Sequence, residues 1–102
     1  MKKLDYAIDE FLEYKNRAED GNTVYFYELA LKEILYLTHD IQFIEMNHVT
    51  YVIIAGRLKI ASKGDKEVFQ INMFVLNQFV AWLFDEGYTE FDLAYSYRLL
   101  IN

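Results

Sequence analysis

The chain has no cysteine and no proline, and only four glycines, two histidines and one tryptophan among its 102 residues. Without cysteine there is no disulfide framework, no thiolate zinc site and no thiol nucleophile, so the fold must rest on packing alone. Without proline, glycine and polar turn residues have to punctuate the chain. No stretch approaches the roughly 20 apolar residues needed to cross a bilayer. Asp5 and Asp9 also interrupt the apolar run that a signal peptide would need. A cytoplasmic protein without membrane contact is expected.

Basic groups are scarce as well: ten, against sixteen acidic ones, for a net charge of -6. That balance argues against general binding to nucleic acid, whose affinity comes from neutralising phosphates with lysine and arginine. The charge is unevenly spread, with net -4 over residues 1–40, +2 over 41–66 and -4 over 67–102.

Aromatic residues, by contrast, make up 18% of the chain, nine of them tyrosine. A small domain hides only part of such ring area, and tyrosine tolerates half-wet positions, so the excess points to a contact surface. With 54% hydrophobic and 25% charged residues, the chain falls in the globular range. One domain over 1–102 is expected.

The spacing of Leu4, Ile8, Phe11 and Lys15 predicts a helix over 3–19. Thr23 is a fitting N-cap for a second over 24–38, with Val24, Tyr27, Leu31, Ile34, Leu35 and Thr38 inward. Tyr25, Leu29, Lys32, Glu33 and Tyr36 fall on its outer side.

Past residue 41 the period changes. Five of the six residues from Val49 to Ile54 are β-branched, which favours a central strand. Lys63-Gly64-Asp65-Lys66 reads as a hairpin turn that would pair Ile60 with Phe69 and Leu58 with Ile71. Asn47-His48 could turn a second hairpin, with Gly56 a bulge or turn. A third helix from Asn72 to Glu86, stopped by Gly87, and a fourth over 90–101 capped by Thr89 would follow. The expected class is therefore α+β: two N-terminal helices, a three-stranded antiparallel sheet and two C-terminal helices. The alternative is all-α, with helices over 48–63 and 66–86.

His39, Asp40, Glu45 and His48 are possible metal ligands, but Glu45-x-x-His48 is half of a di-iron motif whose second copy is absent. Ser62 and Ser96 lie in no nucleophile elbow or glycine-rich loop. No catalytic residue, metal or cofactor is expected. Arg57, Lys59, Lys63 and Lys66 gather on the proposed hairpin and form the alternative site, for a nucleic acid or phosphate ligand, unless they only keep a sheet edge from pairing.

Asp5, Asp9 and Glu13 form a carboxylate row at i, i+4, i+8, with Glu10 beside it and Tyr6 and Tyr14 at its borders. Such rows are often plain solvated faces. Tyrosine at their borders makes this one a candidate dock for a basic partner surface, joined by Tyr25 and Tyr36 on the second helix. The apolar surplus of the last two helices, from Phe74 through Phe84 and from Phe91 to Ile101, predicts a homodimer through them. The expectation is a small acidic protein that binds a protein partner without catalysis. Its size and charge resemble those of the inhibitor class, which includes immunity proteins and phage- or mobile-element-encoded antagonists.

Overall fold

The computed structural model describes residues 4–19, 21–38 and 47–92, leaving aside the side chains of residues 4, 18, 22 and 23. They form four helices: α1 (Leu4–Ala18), α2 (Gly21–Leu37), α3 (His48–Ala61) and α4 (Lys66–Asp85). No strand occurs among the described residues, so the class is all-α and the three-stranded sheet is overturned.

In α1, Ala7, Ile8, Phe11 and Lys15 are buried along one stripe at spacings of three and four. Asp5 in the first turn and Lys15 and Arg17 in the last complement the helix dipole. Helix α2 begins at Gly21, so Thr23 lies inside it instead of capping it. Tyr27, Leu31, Ile34 and Thr38 are buried, while Tyr25, Leu29, Lys32, Glu33 and Tyr36 face water. Glu28 pairs with Lys32 at 3.0 Å across one turn.

The middle expected strand is helix α3, the third, with Phe69 and Ile71, lies in α4, and the first, before Asn47, lies outside the described residues; the residues taken for turns are helix caps. The Asn47 side chain accepts the N–H of Thr50 at 2.9 Å, which starts α3 where a hairpin was expected. Within Val49–Ile54 only Tyr51 and Ile54 are buried, and with Leu58 they make a helical stripe. The β-branched character of that run is outweighed because β propensity spans only about 1 kcal/mol and yields to packing context. Gly56 sits inside α3 as an ordinary helical residue.

At the supposed hairpin tip, Lys63 and Gly64 take left-handed φ values of 52° and 84° and end α3. Asp65 then caps α4, accepting the N–H groups of Glu67 at 3.1 Å and Val68 at 3.2 Å. The expected cap Asn72 is consequently interior to α4.

The helix stops at Gly87 as expected, and the stop takes the form of a Schellman motif. Gly87, with φ 79°, donates to the Phe84 carbonyl at 3.1 Å, and Tyr88 donates to that of Leu83 at 2.9 Å. Thr89 Oγ1 accepts from Phe91 N–H at 3.1 Å, but residues 88–92 are not helical, so the fourth expected helix does not begin at 90. Its remainder, 93–101, lies outside the described residues.

Helix α2 packs on α1, α3 and α4, and α4 packs on α1, α2 and α3. One core joins them, built around Phe11, Tyr27, Tyr51, Phe79, Trp82 and Leu83. The Tyr51 hydroxyl donates to Asn77 Oδ1 at 2.5 Å, satisfying the one polar atom that this buried ring brings inside.

Candidate protein-interaction face on helix α1

Helix α1 packs on α4, with Phe11 against Phe79 and Trp82 at ring distances of 5.4 and 5.5 Å. Because apolar residues and Lys15 claim the inner stripe of α1, its other charged residues are turned outward. Asp5, Asp9, Glu13 and Arg17 are exposed, as are Tyr6 and Tyr14, while Glu10 is half-buried.

The Schellman stop folds Tyr88 back over Trp82, their rings 5.6 Å apart, and its hydroxyl donates to Glu10 Oε2 at 2.6 Å. Glu10 is thereby held against the end of α4. The result is a concavity of about 340 Å³ lined by Tyr6, Glu10, Glu13, Tyr14, Arg17, Trp82 and Glu86. Tyr14 and Trp82 lie 6.3 Å apart at its wall. Three carboxylates and three aromatic rings are thus brought together with one cation, Arg17.

Four of the eight residues expected at a protein-binding face, Tyr6, Glu10, Glu13 and Tyr14, share this concavity. Asp5 and Asp9 are exposed on the same helix outside it, and the Asp5 carboxylate accepts its neighbour Tyr6 N–H at 2.8 Å. Tyr25 and Tyr36 stand on the outer face of α2 and do not line it. Sequence reasoning missed Trp82, Glu86 and Tyr88. The helix stop at Gly87, which Tyr88 follows, was their one local signal.

The alternative basic set no longer shares a hairpin. Arg57 and Lys59 are on α3, Lys63 is in the corner and Lys66 opens α4. Arg57 Nη1 donates to the Leu37 carbonyl at 2.9 Å, placing a cation at the C-terminus of α2 where the dipole is negative. Ser62 Oγ donates to the Lys59 carbonyl at 2.7 Å, a local closing bond at the end of α3. His39, Asp40, Glu45 and Ser96 lie outside the described residues.

Among the described residues no group of three or more histidine, aspartate or glutamate side chains is arranged to hold a metal ion. Among the same residues no helix is long and apolar enough to cross a membrane. No protein-family model matches the chain, and neither the curated proteins nor the solved structures contain a match to it.

Proposed function

We propose that the chain is a non-enzymatic protein of the cytoplasm that binds a basic surface on a partner protein through α1, in the manner of an inhibitor or antagonist. The observation that carries this reading is the concavity in which Glu10, Glu13 and Glu86 meet Tyr6, Tyr14 and Trp82. A lysine or arginine side chain complements such a site twice over. Its charged head meets carboxylates in charge-assisted hydrogen bonds, and its cation and stem lie against aromatic faces. Arg17 already lines the concavity, so an incoming cation displaces or flanks it. Tyrosine and tryptophan are also the side chains that most often anchor interfaces. Asp5 and Asp9 extend the negative field along α1 and steer the approach.

The test is fluorescence anisotropy with an arginine-rich peptide and an acidic peptide of equal length. The basic peptide is expected to bind, more weakly as salt rises. Glu10→Lys with Glu13→Lys is expected to weaken it at least about tenfold, or roughly 1.4 kcal/mol. Equal binding by the reversed variant would sink the proposal. So would tight, salt-sensitive binding of a single-stranded oligonucleotide that Lys59→Glu, Lys63→Glu and Lys66→Glu abolish, because that result belongs to the nucleic-acid alternative.

A further inference from the structure

Two other surfaces are apolar and lie apart from the α1 concavity. On α3, Val49, Ile53, Gly56 and Ile60 follow one another at i, i+4, i+7 and i+11, the spacing of a helix-packing seam. The three side chains are 66%, 43% and 80% exposed, with Val52 beside them. A Cβ built on Gly56 would meet nothing within 4 Å. Glycine inside a helix costs about 1 kcal/mol relative to alanine. In exchange, it lets another backbone approach closely at the centre of the seam. Helix α3 carries no carboxylate; Lys59 borders the seam and Lys63 follows its end.

The second surface is an open groove of about 720 Å³ between α2 and α4. Phe26, Tyr27, Ile71 and Phe74 supply its apolar lining, and Glu67 adds a carboxylate beside Glu19, which Lys15 pairs at 3.2 Å, with no basic residue among the lining groups. Phe26 and Phe74 are 60% and 56% exposed, a large ring area to leave in water on so small a protein.

We propose that the α3 seam of one copy docks in the α2–α4 groove of a second copy. The signs of charge select this pairing. Groove against groove would set Glu67 against its own kind, and seam against seam would do the same with Lys59. Seam against groove is the combination in which apolar meets apolar and opposite charges meet. The shape agrees, because an exposed helix face set into an apolar groove is a recurring mode of recognition. The two surfaces are distinct patches of one copy, so each molecule both donates and accepts, and copies join head to tail or close a ring. The groove shares no lining residue with the α1 concavity, which leaves the proposed partner site independent of this contact.

Sedimentation velocity of the full chain over a wide concentration range tests the proposal. The average mass is expected to rise with concentration. Phe74→Lys in the groove and Ile53→Glu in the seam are each expected to return the protein to monomer, with circular dichroism reporting that both remain folded. Should either fail to fold, Ile71→Lys and Ile60→Glu take their places. Mixing the groove variant with the seam variant restores one intact groove and one intact seam, so a one-to-one complex is expected to reappear at twice the monomer mass. A wild type that stays monomeric throughout overturns the proposal. So does association that survives either substitution, as pairing of like surfaces would produce, or a mixture that stays monomeric.

Discussion

Lys15 shows how a charged residue can occupy a core position. Its stem continues the inner stripe of α1, and its ammonium lies 4.9 Å from the centre of the Tyr27 ring and 3.2 Å from Glu19 Oε1. Burial works against the charge, but the hydrogen bond to Glu19 and the interactions with Tyr27 and Glu19 outweigh it, raising the pKa above the ordinary 10.5. A lysine raised on folding contributes stability that is complete below its unfolded pKa and disappears as pH rises through the folded one. Lys15→Met keeps the stem and removes the charge. It is expected to be less stable than wild type near neutral pH, with the gap closing well above pH 10.5 in urea titrations. Lys15→Ala also loses the packing of the stem and is expected to cost about 1–2 kcal/mol. The inward position of Lys15 was legible from its i+4 spacing to Phe11. The rings that make it tolerable come partly from α2, and local sequence does not join them.

At the scale of elements, the corner between α3 and α4 shows why turn chemistry alone was ambiguous. A Gly-Asp pair suits a hairpin turn, and it equally suits a helix that ends on a left-handed glycine before an aspartate cap. In the structure it does the second. Asp65→Ala leaves the Glu67 and Val68 N–H groups without that acceptor and is expected to cost about 1 kcal/mol. Gly64→Ala forces a side chain into positive φ and is expected to cost about 1–2 kcal/mol. Both should lower the urea midpoint without changing the slope, since neither changes the surface exposed on unfolding. The stop at Gly87 was legible because a Schellman motif needs only a left-handed glycine and an apolar follower, both local. The α3 segment misled because β-branching is a statement about propensity, while Tyr51, Ile54 and Leu58 are held by contacts with other helices.

For the molecule as a whole, Phe11 is where the helices meet. Its ring touches Tyr27 of α2 at 5.8 Å and Phe79 and Trp82 of α4 at 5.4 and 5.5 Å. The Cα radius of gyration, 13.0 Å, is that of a compact chain of this length. Phe11→Ala opens a cavity shared by three helices and is expected to cost about 3–5 kcal/mol. Since small domains hold only about 5–15 kcal/mol in total, the variant should melt far below wild type or fail to fold. Phe11→Leu, which retains most of the volume, is expected to lose less and to keep a single cooperative transition in thermal unfolding.

The sequence by itself determined the two N-terminal helices, their buried stripes, the outward carboxylates of α1 and the stop at Gly87. Each of these depends on residues within a turn or two of one another, where helical spacing and capping act directly. Only the tertiary structure decided between sheet and helix for residues 48–61, because burial of one stripe against α2 and α4 outweighs a propensity difference of about 1 kcal/mol. It also brought Trp82 and Glu86 to Tyr6, Glu10 and Tyr14, and Phe26 to Phe74, across long stretches of chain. Surfaces of that kind come from helices packing side by side, and no local spacing encodes which faces will adjoin.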